Sequence, residues 1–386
     1  MPERKLRLRC VGCGEIYDVP SLYCDHCNGL LRADYATTAF RPRSNGDLFD
    51  FRDWLPPATV VRTSVGPVVY RSEGLADHLS MTDLAVAFNG YAPGIGARNP
   101  TGSFKDFEAL PTLLYSREFG IDALVLASAG NTARAFAHAA TLLDFPVLLV
   151  APESALPRLW LPCRPSRAVR LVVIERCNDY AFAIEAAAMI AETLAIAPEG
   201  GARNVARRDG MSTAVLEYAR LFGRLPAHYV QAVGSGTGAI AAWEAALRLR
   251  AAGVDGTLPK LHLAQNAPFA PLHDAWARGR PIVPEADVEG QLRRIARIDA
   301  PVLANRTPPY AVPGGVRDAL AATGGATYAI PNRRARAAAD LFHRLEGWAI
   351  GPAAAVATAA MMEAVSSSRI RREIPSCSTS PATTRY

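Results

Sequence analysis

The middle of the chain alternates short, continuously apolar runs with longer helical patterns. Residues 123–128 (Ala-Leu-Val-Leu-Ala-Ser), 146–150 (Pro-Val-Leu-Leu-Val), 169–174 and 228–233 read as buried strands, and 261–264 and 326–330 extend the series. Residues 104–119 place Phe104, Phe107, Leu110, Leu113 and Leu114 at helical spacing. Residues 131–143, 179–194, 212–222, 238 to about 250, and 334–347 also read as helices. Upstream, 68–70 and 84–88 are strand candidates, whereas 35–63, with Pro42, Pro56 and Pro57, reads as an irregular linker and entry segment. Strands that lack polar alternation and are separated by helices predict an α/β fold with parallel sheets covered on both faces. No internal repeat is visible.

Composition narrows the class. The chain has 386 residues, of which half are hydrophobic and 20% charged, enough for a large core and against a disordered or fibrous protein. At roughly 100–200 residues per domain, two or three domains are expected. The net charge of +6 comes without a block of like charges, which reads as solvated surface and not as a nucleic-acid footprint. No apolar run approaches the roughly 18 residues a membrane helix needs. The start, Met1-Pro-Glu-Arg-Lys, leads to Cys10 without an apolar stretch, so no secretory signal and a cytoplasmic location are expected. Seven cysteines in that setting do not imply a disulfide framework.

Four of those cysteines form two CxxC pairs, Cys10 with Cys13 and Cys24 with Cys27, with Gly12, Gly14, Asn28 and Gly29 in the turns. Two such knuckles can offer four thiolates to one tetrahedral ion, the pattern of a structural zinc ribbon. Only three lysines occur, Lys5, Lys105 and Lys260. Lys105 opens a helix after Pro100-Thr-Gly-Ser-Phe, where backbone amides and the helix dipole disfavour its ammonium and should lower its pKa, as Schiff-base chemistry requires. The strand at 123–128 ends in Ser128-Ala129-Gly130-Asn131-Thr132, small residues before a helix N-terminus that suit a carboxylate; Asn131 there is either the helix cap or a ligand contact. The strand at 228–233 ends in Gly234-Ser235-Gly236-Thr237-Gly238, a turn that builds a nest of N–H donors for phosphate. It lacks the Gly-Lys-Ser/Thr of a nucleotide loop, so a non-nucleotide phosphate is expected. A Schiff-base lysine, a carboxylate loop and a phosphate cup on one scaffold are what pyridoxal phosphate needs.

These three motifs resemble the fold-type II pyridoxal phosphate enzymes, which are tryptophan synthase β-like, and the threonine synthase branch in particular. Residues 68–78, Ala87-Phe-Asn-Gly-Tyr91, 126–136, Gln231 to Gly238, Gln265-Asn-Ala-Pro-Phe and Asn305-Arg306-Thr-Pro-Pro-Tyr310 are similar to the cysteate synthase subgroup of that branch. The resemblance covers about residues 8 to 365. It implies two doubly wound parallel-sheet domains and an N-terminal zinc-ribbon-like segment: 1–35 as ribbon, 36–100 with 226–366 as the large cofactor domain, 101–225 as the small domain. It implies that Lys105 carries the cofactor, Asn131 contacts its ring hydroxyl and residues 234–238 hold its phosphate. Residues 204–213 look like the segment that holds the substrate phosphate in threonine synthases, which makes Arg207 a candidate; Met211-Ser212 stand where those enzymes have Gln-Lys. Ser128, Ala129, Gly130 and Thr132 fall to the substrate, and Arg306 is a second anion candidate.

After Ser366 the apolar period ends, and 367–386 reads as a disordered or frameshifted tail; in another frame, residues 376–382 can read Val-Leu-Asn-Val-Thr-Gly, which looks like the expected end of the family. The implied reaction is β-replacement: O-phospho-L-serine and sulfite give L-cysteate and phosphate. The alternatives are a threonine synthase acting on O-phosphohomoserine, and a non-catalytic zinc-ribbon protein or pseudoenzyme. Small-molecule substrates are expected, with no nucleic-acid or membrane partner and, by analogy, a homodimer.

Overall fold

The computed structural model describes residues 5–282, 287–371 and 376–380. Two parallel sheets carry the chain. The smaller runs Val169–Ile174, Val147–Pro152, Leu124–Ala127, Ala197–Pro198, all parallel. The larger runs Ala326–Pro331, Lys260–Ala267, His228–Ala232, Ser376–Ser380, Leu84–Phe88, Val68–Arg71, and only its last strand is antiparallel.

The period of two explains the layers. In the smaller sheet Leu124, Leu126, Val147 and Leu149 pack with helices Lys105–Glu118 and Asn131–Leu143, while Val125 and Val150 face helix Tyr180–Leu194. In the larger sheet Tyr229, Leu261 and Leu263 join helices Thr237–Ala251 and Val316–Thr323. Val230, Ala232 and Ala264 join helices Asn332–Glu346 and Pro352–Ser366 on the opposite face. Both sheets carry helices on both faces, as the continuous apolar runs predict, but the edge strand Val169–Ile174 leaves Leu171 and Val172 exposed.

Three regions differ from the sequence reading. The segment at 35–63 is not a linker: it contains the 3₁₀ turns Leu48–Trp54, with Leu48, Phe49, Phe51 and Trp54 buried. Its aromatic residues supply the order that its prolines hide, Phe40 lying 5.2 Å from the Trp54 ring. The helix expected from residue 212 begins at Val205, because the Asn204 side chain caps it by accepting from the amides of Ala206 and Arg207 at 3.0 and 3.3 Å. The tail is ordered in part. Ile370 is buried among the apolar residues of the larger sheet's second layer. Ser376–Ser380 fill the slot between His228–Ala232 and Leu84–Phe88, where backbone pairing on both sides suffices without an apolar pattern. Residues 372–375 and 381–386 lie outside the described residues.

The N-terminal segment is a three-stranded antiparallel sheet, Ile16–Tyr17, Leu6–Cys10, Leu31–Tyr35, docked on helix Val205–Phe222. That helix also packs on Lys105–Glu118 and Thr237–Ala251. Gly210 permits the first contact: a Cβ there would lie 2.1 Å from the carbonyl oxygen of Phe107. Gly210→Ala is therefore expected to separate the two helices and cost roughly 1–3 kcal/mol, as overpacking does. A urea unfolding midpoint equal to that of the unmodified protein would contradict this close-packing account.

Candidate active site

A cavity of about 170 Å³ opens at the carboxyl ends of the strands, between the two sheets, where open α/β folds bind ligands. It gathers the predicted residues of all three motifs. Lys105, Ser128 to Thr132, Arg207, Gly234 to Gly238 and Arg306 all line it. The cysteines lie apart from it, in the ribbon.

Lys105 is the first residue of helix Lys105–Glu118. The preceding loop is fixed by Asp106, which accepts from the Thr101 amide at 3.0 Å and its hydroxyl at 2.9 Å. Burial holds the Lys105 pKa down at about 8, against the opposing pull of Glu108. The sequence led to the right direction from the helix dipole, but loss of hydration is the main cause. Lys105 Nζ donates to Glu108 at 3.2 Å. Glu108 is fully buried and also accepts from Arg207 Nε at 2.9 Å and from the Thr132 hydroxyl at 3.1 Å. Arg207 further donates to Glu199 at 2.7 Å and to Thr132 at 3.2 Å, so each of its three nitrogens is engaged. Burial works against the Arg207 charge, but Glu108 and Glu199 outweigh it and its pKa is raised.

The 128–132 loop is held by Ser128, whose hydroxyl accepts from the amides of Gly130 at 3.3 Å and Ala133 at 2.9 Å. Asn131 is thus not the cap; it is the first helical residue, and its side-chain Oδ1 accepts from Arg134. Ala129 offers its carbonyl to Arg158 Nε at 3.1 Å. Opposite, the 234–238 turn leads into helix Thr237–Ala251. Gly236 takes φ +79° with its Cβ position 2.3 Å from Val316, so only glycine fits. The amides of Gly234, Ser235, Gly236 and Gly238 have no protein acceptor among the described residues, and the hydroxyls of Ser235 and Thr237 lie 2.7 Å apart beside them. Arg306 bridges the cleft to Asp179 at 2.6 Å and donates to Gln291 at 3.3 Å.

Sequence reasoning missed Glu108, Glu199 and Arg158. Glu108 follows Lys105 by three residues, the spacing that puts two side chains on one helix face. Glu199 and Arg158 follow the ends of strands Ala197–Pro198 and Val147–Pro152, which is the positional signal for a site in this fold class.

The four ribbon sulfurs of Cys10, Cys13, Cys24 and Cys27 lie within 4.8 Å of one another. Tetrahedral zinc with bonds of about 2.3 Å would place sulfurs about 3.8 Å apart, so the set fits a structural zinc. Gly12 and Gly29 keep the knuckles tight, their Cβ positions falling 2.9 Å from Cys27 Sγ and 3.0 Å from Cys10 Sγ. No helix among the described residues is long and apolar enough to cross a membrane.

Residues 97–378 match the family model of the pyridoxal-phosphate dependent enzymes. The cysteate synthase of Methanocella paludicola is 48% identical over 361 residues, 92% of this chain and 84% of that one. The cysteate synthase of Methanosarcina acetivorans is 46% identical, over 95% of this chain and 89% of its own. Among solved structures, O-ureido-L-serine synthase superposes with a TM-score of 0.61 at 17% identity, over 84% of this chain and 92% of that one. Threonine deaminase isoform 2 of Solanum lycopersicum gives 0.60 at 17%, over 84% and 86%. These two bear on the fold alone.

The cavity's donor set fits pyridoxal phosphate: a buried amine of lowered pKa, a carboxamide on the facing loop, and four unengaged amides at the start of a 15-residue helix. Because only the neutral amine attacks a carbonyl, capture of added pyridoxal phosphate by apo-protein should quicken with rising pH and level off above about pH 8. Glu108→Gln removes a charge that raises the Lys105 pKa and should move this midpoint to lower pH. Borohydride trapping at Lys105 across a pH series measures both, and a midpoint near that of free lysine would refute the first. For the ribbon, the purified protein is expected to hold about one zinc per chain, and Cys24→Ser to lower both zinc content and the thermal midpoint. Elemental analysis showing no zinc in folded protein would overturn this.

Proposed function

From a chain that belongs to the pyridoxal-phosphate dependent enzymes, and among them to the cysteate synthase family, we propose β-replacement on O-phospho-L-serine with sulfite, giving L-cysteate and phosphate. One observation carries the chemistry: the buried amine of Lys105, the 128–132 loop and the 234–238 turn face one cavity that is also lined by Arg158, Arg207 and Arg306. Lys105, Asn131 and residues 234–238 are the residues that would hold the cofactor. When bound, pyridoxal phosphate supplies an electron sink for the pair left at Cα on proton removal.

Lys105 Nζ removes the α-proton as general base and returns it at the end. Its lowered pKa suits both transfers near neutral pH. Glu108 and Arg207 fix the position of that amine, and the amides of Ala129, Asn131 and Thr132 receive the substrate carboxylate at a helix N-terminus. The Cβ–O bond breaks with its electron pair going to phosphate. The sulfur lone pair of hydrogensulfite forms the new bond to Cβ, and its proton ends on the phosphate. The oxyanions that leave and enter account for a wall rich in guanidinium. The homodimer expected by analogy is part of this reading, and sedimentation should show a species of twice the chain mass.

Phosphate release by cofactor-loaded protein tests the proposal. Release should require both O-phospho-L-serine and sulfite, and Lys105→Ala should lower it by at least about a thousandfold, on the scale of general-base and covalent contributions combined. Release from O-phosphohomoserine alone would instead assign the threonine synthase reaction, and binding without any release would assign a non-catalytic role.

A further inference from the structure

Four cations line the cavity, and three of them face a carboxylate. Lys105 has Glu108 at 3.2 Å; Arg207 has Glu108 at 2.9 Å and Glu199 at 2.7 Å; Arg306 has Asp179 at 2.6 Å. Within the first group two positive charges meet two negative ones, and Arg306 with Asp179 is likewise balanced. Arg158 is different. Its Nε is held by the Ala129 carbonyl at 3.1 Å, and neither terminal nitrogen meets a protein acceptor among the described residues. It makes no ion pair there either. Its planar fork is thus oriented by the loop expected to take the substrate carboxylate, and its two outer N–H groups stay available on the cavity wall.

We infer that Arg158 is the specificity-determining residue for the exchanged oxyanion, binding through its terminal nitrogens the phosphate group that departs and the sulfite that enters. The inference rests on the proposed β-replacement for its biological meaning, and on the charge pairing of the cavity for its geometry. A tetrahedral or pyramidal oxyanion finds its net attraction at the guanidinium of the cavity wall whose charge is not cancelled among the described residues. Arg207 then acts as a positioning residue for Glu108 and Lys105, and Arg306 as a tie between the two halves of the cleft.

The test is calorimetric binding of inorganic phosphate, and separately of sulfite, to cofactor-loaded full-length protein. Arg158→Met should weaken both by roughly tenfold to hundredfold, the range of a lost charge-assisted pair, and Arg158→Lys should restore part of the loss. In turnover, the same variants should raise KM for O-phospho-L-serine and for sulfite more than they lower kcat. Unchanged oxyanion binding in Arg158→Met, with turnover intact in the unmodified enzyme, would overturn the assignment and leave the reaction standing. If Arg158→Met does not fold, Arg158→Lys decides alone: oxyanion affinity equal to that of the unmodified enzyme counts against the fork. Arg158-dependent oxyanion binding without turnover of phosphoserine and sulfite would keep the anion site and sink the reaction.

Discussion

Three consecutive charged residues on one buried helix, Arg207, Arg208 and Asp209, tie the molecule together. All three are nearly or wholly removed from solvent. Successive helical side chains point about 100° apart, so each must find its counter-charge in a different body. Arg207 meets Glu108 and Glu199 beside the cavity. Arg208 meets Glu244 of the helix that follows the 234–238 turn and donates to the Leu31 carbonyl of the ribbon. Asp209 accepts from the ribbon's Tyr35 hydroxyl at 2.6 Å and from Arg248 at 2.9 Å. Leaving one such charge unpaired would cost about 3–5 kcal/mol. Rotation or sliding of this helix would break all three sets together, so its register is fixed against the lysine helix, the phosphate-cup helix and the ribbon.

The ribbon's position follows from the same constraint. Its cysteine set leaves no open coordination position for chemistry, and it lies away from the cavity. Yet it touches two walls of the site: through Tyr35 and Leu31 it holds helix Val205–Phe222, and through Leu30 N–H to the Pro313 carbonyl at 2.9 Å it holds the segment that continues from Arg306. A zinc held by these thiolates would give such rigidity at little cost in chain length, while Leu8, Leu30 and Leu31 pack into the main core.

What was legible in the sequence was whatever local physics decides. The 124–127 and 228–232 strands end in small-residue loops because the backbone must approach a ligand there, and that pattern is visible without neighbours. The four cysteines likewise announce themselves by spacing. What stayed hidden depends on partners distant in sequence. Glu199 and Arg207 are eight residues apart, but Arg207's other partner, Glu108, is about a hundred residues away, and nothing local says that this carboxylate sits between a lysine and an arginine. The aromatic turn at Leu48–Trp54 was obscured by flanking prolines, since its order comes from packing on helix Val205–Phe222 and not from propensity. In the tail, Ser376–Ser380 take a strand place that their composition does not advertise, because a central slot in a sheet is filled through the backbone.

The distribution of charge in the cavity bears on how one site can handle two oxyanions in succession. A pocket with three free guanidinium groups would bind phosphate tightly in the ground state and as product, and tight binding of both raises no rate. Here most of the cationic wall is already neutralised: Glu108 serves both Lys105 and Arg207, and Asp179 serves Arg306. Those pairs still orient N–H groups and exclude water, but they add little net attraction. Attraction concentrated at Arg158, held through its Nε alone among the described residues, is enough to select an oxyanion over a neutral group. It is also weak enough to release one oxyanion before the next arrives. Compensated charge near the amine serves the other half of the reaction. Burial lets Lys105 lose its proton near neutral pH against the pull of Glu108, and Arg207 keeps that carboxylate paired when it does. The same carboxylates that hold the amine in place therefore limit how strongly the site grips what it must let go.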